Sequence, residues 1–190
     1  MTPDSDLKNM VVEIAVFFTI LVKEGERAAV VIGASRLETE LERLLKRLLC
    51  HSAGGIDNLF DQDRPYSTFS AKILLAHRLE ILDSDFEHAL QMVRKIRNDF
   101  AHSMQSEHLS DSRHKNRVQE IKRLVHSSGQ WKAMDSALRP HDTSEDVADF
   151  CICLAVMLSI LQPLVFTAQR IEHLNKATFD VSKWQIVPPI

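Results

Sequence analysis

The chain has 190 residues, 45% hydrophobic and 26% charged, with a formal net charge of −3. That composition excludes a disordered chain, and the lack of net positive charge excludes a global field that would draw the protein onto nucleic acid. Only 5 Gly and 6 Pro leave little material for turns, so the chain reads as all-α, and its length suits a single helical domain over residues 1–190.

The amino-terminal MTPDSDLKNM lacks the basic-then-apolar order of a secretion signal, which predicts a cytoplasmic protein. Ser5 or Asp6 can cap a first helix that runs to residue 23, ahead of Gly25. Its core, MVVEIAVFFTILV, is apolar on nearly every face. It is shorter than the ~20 residues a bilayer needs, so it is either a buried helix or a dimer surface.

Over residues 26–49, Val30, Ala34, Leu37, Leu41, Leu44 and Leu48 alternate steps of four and three and fall on one helical face. Glu42 and Lys46 form an i, i+4 pair on the other side. Residues 52–64, with a Gly pair and several Asp and Asn, read as the main loop. A helix capped by Ser67 or Thr68 follows, with Phe69, Ile73 and Ala76 on one face. Asp83-Ser84-Asp85 then ends that helix and caps the next, over residues 86–103.

Residues 113–125 form a helix whose apolar side is Val118, Ile121, Leu124 and Val125. Its basic residues are Arg113, Lys115, Arg117, Lys122 and Arg123. Residues 127–142 carry Gly129 and Pro140 and read as irregular, and Thr143 with Asp146 resembles a capping box.

The following run, DFCICLAVMLSILQPLVF, is long enough to raise a membrane span, but Gln162-Pro163 interrupts it and Asp149 and Arg170 flank it. It reads as the central helix of a soluble bundle, kinked or restarted at Pro163. The tail FDVSKWQIVPPI is expected to be an extended strap. Cys50, Cys151 and Cys153 show no CxxC or zinc spacing, and the histidines are scattered, so reduced thiols and no metal or cofactor are expected.

On the helix over residues 86–103, Leu90, Val93, Ile96 and Phe100 share an apolar sector. Arg94, Asn98 and His102 line the polar side, and Arg97 falls at the shoulder of the core. A guanidinium there needs a carboxylate, carbonyl or phosphate, and removing it is expected to cost ~1 to 3 kcal/mol.

Arg97-Asn98-Asp99-Phe100-Ala101-His102 resembles the Arg-x4-His motif of HEPN domains, helical bundles that often dimerise. In members that cleave RNA, two motifs commonly meet across the dimer, without a metal. The resemblance implies His102 as general acid or base, Arg97 as stabiliser of the charged phosphorane and Asn98 as orienting group. The wider set, residues 37–49, RPYSTFSAKILLAHRLEIL and VRKIRNDFAH, is similar to the mannitol operon repressor family. One departure is Leu79-Glu80-Ile81-Leu82, where that family usually shows a Leu-Gly-Leu-Ile type turn.

The resemblances imply an HEPN-like bundle of about six to seven helices and a regulator, acting as a homodimer through a protein partner or nucleic acid. No helix-turn-helix, zinc finger or aromatic strand pattern stands in the sequence. Direct binding to RNA or DNA would fall to Arg113, Lys115, Arg117, Lys122 and Arg123, or to Arg94, Lys95 and Arg97. The alternative is a metal-independent endoribonuclease, toxin-like, using Arg97, Asn98 and His102.

Overall fold

The computed structural model describes residues 3–50, 52, 58–103, 106–126, 128–140 and 142–171, with side chains from residue 12 onward. Among them are seven helices and no strand, an all-α bundle. They are α1 Pro3–Lys23, α2 Glu26–Leu48, α3 Phe69–Arg78, α4 Ser84–His102, α5 Ser112–His126, α6 Trp131–Leu138 and α7 Glu145–Thr167.

The amphipathic helices formed where the period placed them. Val30, Ala34, Leu37, Leu41 and Leu44 of α2 are buried, and so are Leu90, Val93, Ile96 and Phe100 of α4. Side-chain caps open two helices: Thr68 accepts from Ala71 N at 3.2 Å, and Asp83 accepts from Phe86 N at 2.7 Å. Each satisfies one of the backbone donors that a helix start leaves free.

Four expectations need correction. Helix α1 begins at Pro3, upstream of Ser5 and Asp6. Residues 127–142 are not wholly irregular, because α6 forms inside them. Trp131 is buried and Met134 and Leu138 pack against the core, a spacing of three and four that seats one face of a short helix. The N-cap of α7 is Ser144, without a side-chain hydrogen bond, so Thr143 and Asp146 form no capping box. Finally, Pro163 does not break α7. Leu161, Gln162 and Val165 around it stay buried, and tertiary packing carries the helix past the missing N–H. The strap expected of the carboxy-terminal tail lies outside the described residues.

Helix α7 is the axis of the molecule and packs against α1, α2, α5 and α6. By length and composition it could cross a membrane, with mean hydropathy 2.2 over its window, but 67% of that window is buried inside the bundle. Cys151 and Cys153 are free and buried on it, and burial pushes the Cys151 thiol up to about 12. Helix α1 divides its apolar residues: Ile14, Phe18 and Leu21 face the core, while Val12, Val16 and Ile20 are exposed.

Helices α2 and α7 approach closely at Gly33. A Cβ on Gly33 would overlap Leu154 Cδ1, and Leu154 is itself fully buried. Across α2 and α3 the clasp is ionic: Lys72, with only 5% of its side chain exposed, reaches Glu38 at 2.8 Å and Glu42 at 2.9 Å. Burial opposes the Lys72 charge, but the two carboxylates outweigh it and raise the ammonium pKa.

The turn between α3 and α4 explains the departure at Glu80. Glu80 N donates to His77 O and Ile81 N to Ala76 O, both at 3.0 Å, the paired bonds of a Schellman ending. That ending needs a left-handed residue, and Glu80 has φ 56. A glycine at this position would adopt it without a Cβ penalty.

Two outcomes follow from this packing. Gly33→Ala should lower stability by about 1–3 kcal/mol, because a core leucine must leave its rotamer. Glu80→Gly should raise it by about 1 kcal/mol, by relieving the left-handed glutamate. Urea unfolding of the two variants beside the parent reads both effects, and a neutral Gly33→Ala would mean that α2 and α7 lie farther apart.

Candidate functional site

Helix α4 presents the Arg-Asn-x-x-x-His segment as its wheel requires. Phe100 is fully buried, Arg97 and Asn98 are half-buried, and His102 is exposed as the last helical residue. The partner expected for Arg97 is not a carboxylate. Its Nη1 donates to Asn98 Oδ1 at 3.3 Å, and among the described residues it has no ion pair. Arg94 is similar, donating from Nε to Gln91 Oε1 at 2.9 Å. Lys95 is exposed, and neither it nor His102 has a side-chain partner among the described residues.

The basic residues of α5 behave oppositely. Arg117 Nη1 donates to Asp99 Oδ2 at 2.5 Å, and Arg113 lies between Asp99 at 3.4 Å and Glu107 at 3.3 Å. Lys115 meets Asp146 at 3.5 Å, and Arg123 meets Glu120 through two bonds of 3.0 and 2.8 Å. Lys122 reaches the buried Asp149 at 2.7 Å and stands over the Trp131 ring, 5.2 Å from its centroid. Every basic side chain proposed on this face is therefore neutralised locally. A solvated, charge-balanced face has little attraction left for phosphate.

Residues that no spacing could have linked gather behind the motif. Glu26, in the first turn of α2, lies 2.9 Å from His108 Nδ1 and accepts the Leu109 backbone N–H. This hydrogen bond and the Glu26 charge raise the His108 pKa above its ordinary value. Arg27 donates to Ser103 O at 3.4 Å. The N-terminus of α2 thus holds the connection that carries the chain from His102 to α5.

A second missed residue is His114, which is fully buried. Its Nε2 lies 2.7 Å from Glu107 Oε2, and its ring stands at 60° to Phe100 with centroids 5.2 Å apart. Nδ1 has no hydrogen-bond partner. The bond from His114 is the main cause holding the Glu107 carboxyl below its usual range. Asp111, whose Oδ2 accepts from His108 N at 2.9 Å, completes the group.

Two cavities of about 210 Å³ lie elsewhere. One sits among Asp83, Phe86, Ala89, Leu124, Val125 and Ile160, the other between the end of α1 and Leu138 and Pro140. Neither is lined by a motif residue.

Comparison of the chain with family models, curated protein sequences and solved structures returns no match. The resemblance to the mannitol operon repressor family and to HEPN domains rests on the quoted residues alone.

The geometry reverses one stability expectation. With no buried carboxylate to strand, Arg97→Ala should change stability by no more than about 0.5 kcal/mol, and so should His102→Ala. Asp99→Ala, which frees Arg113 and Arg117 together, should cost about 1 kcal/mol. Thermal melts of the three variants decide it, and a large loss in Arg97→Ala would restore a buried partner for that side chain.

Proposed function

We propose that the chain is a cytoplasmic regulatory protein of the mannitol operon repressor type, which acts as a dimer by binding nucleic-acid phosphates through the exposed side of α4. One observation carries the reading: Arg94 and Arg97 are half-buried guanidinium groups with no carboxylate partner among the described residues. The half-buried cations of α5, by contrast, are paired with acids. A cation held at the edge of the core without a counter-charge is prepared for an external anion. Lys95 and His102 extend the same surface. The dimer draws its support from Val12, Val16 and Ile20, an apolar stripe on the outer side of α1.

The test is fluorescence anisotropy with labelled duplex DNA and single-stranded RNA over a salt series. A contact to two or three phosphates gives a log–log salt slope of about −2 to −3. Arg94→Ala with Arg97→Ala should weaken binding at least tenfold and flatten that slope by about 2, whereas Arg123→Ala should leave both unchanged. Undiminished binding by the double variant would sink the assignment.

A second reading is favoured by the exposure of His102 at the end of α4, where an imidazole is free to exchange protons with a bound RNA. It is the metal-independent endoribonuclease, with Arg97 and Asn98 beside His102. Cleavage of mixed RNA in EDTA by the parent and not by His102→Ala would put this reading first.

A further inference from the structure

We propose that Glu107, Asp111 and His114 form a binding site for a divalent transition-metal ion of the zinc class, placed between α4 and α5. A ligand atom from each of the three lies within 4.8 Å of the others. Two donors on one such ion stand at most about 4.2 Å apart, with bonds of about 2.1 Å. The Asp111 side chain is exposed, so a small rotation closes the difference.

His114 supplies an independent observation. An imidazole with 0% exposure normally anchors both ring nitrogens, yet here Nδ1 has no partner and the one close polar contact of Nε2 to an acceptor is Glu107. The fold has buried this ring and aimed one nitrogen at the Glu107 carboxylate, with Asp111 close by. Phe100 packs against the ring edge to face. When an ion takes Nε2, the ring proton moves to Nδ1.

The opposing charge is Arg113, whose Nη2 is 3.3 Å from Glu107 and 3.5 Å from His114 Nε2. Its side chain is 55% exposed and also lies 3.4 Å from Asp99, so it keeps that partner when an ion takes Glu107. Glu26, drawn close through His108 and Leu109, adds a further negative charge to the surroundings.

The donor set selects the ion. One imidazole nitrogen and two carboxylates suit Zn²⁺, Co²⁺ or Mn²⁺, whereas Mg²⁺ and Ca²⁺ favour all-oxygen ligands and Cu(I) favours sulfur. Bound there, the ion would tie the connection leaving His102 onto the first turn of α5. The proposal stands independently of nucleic-acid binding.

The experiment uses the full chain stripped with a chelator, titrated calorimetrically with Zn²⁺, with Co²⁺ absorption to report nitrogen and carboxylate coordination. The parent should bind one ion and melt at a higher temperature with it. Asp111→Asn and Glu107→Gln should each weaken binding about tenfold or more while unfolding cooperatively without metal, and they avoid emptying the buried His114 position. Mg²⁺ at the same concentration should not shift the melt. Absence of Zn²⁺ binding, undiminished binding by both variants, or an equal response to Mg²⁺ would each overturn the site.

Discussion

Asp149 is a carboxylate with no exposure on the most apolar helix of the molecule. Its oxygens are taken separately, Oδ2 by Lys122 from α5 and Oδ1 by Arg139 beyond α6, each at 2.7 Å. An unpaired charge in that position would be too costly to keep, so α5, the end of α6 and α7 can assemble only where both cations reach it. Removing both partners would strand a buried charge at a cost of about 3–5 kcal/mol. The rest of α7 is a nearly uniform apolar surface that would tolerate slippage. Asp149 is the feature that gives it a register.

This constraint also shapes the surface. Lys122 belongs to the basic face of α5, and its commitment to Asp149 and Trp131 removes it from any phosphate-binding role. Arg113 and Arg117 are drawn to Asp99 in the same way, which clamps α5 against the last turns of α4. The helix that looked most like a nucleic-acid surface is therefore internal bracing. The counter-charges that neutralise it come from elements as far along the chain as Asp146 and Asp149 of α7. Of the cations considered for phosphate binding, Arg94, Lys95 and Arg97 of α4 have no acid partner among the described residues, and the two arginines lie on the side of the helix away from Asp99.

Bracing has a functional consequence for that side. Phe100 and Asp99 occupy the variable positions of the Arg-Asn-x-x-x-His segment, and both are gripped by α5, through His114 and through the two arginines. The end of α4 is held as well from α2, by Arg27 on Ser103 and by Glu26 on the segment beyond. Under the proposed reading, the backbone at this end of α4 has little further entropy to lose on binding.

Periodicity is a local property, and it located α2, α4 and α5, buried their apolar faces correctly, and set Arg97 at the shoulder of the core with His102 outside it. It could not locate α6, whose eight residues between Gly129 and Pro140 are too few to show a period, or see that packing carries α7 through Pro163. Nor could it decide which residues of α1 are covered, because that helix is apolar all round and only its neighbours distinguish Phe18 from Val16. The partner of each charge was equally out of reach. Glu26 meets His108 across 82 positions, and Lys72 meets Glu38 across 34. Such pairings depend on how helices cross, a geometry that the spacing of residues within any one helix does not encode. The amino-acid sequence by itself determined the amphipathic helices and the outward face of the motif; the tertiary structure alone decided which cations are paired with acids inside the protein and which are not.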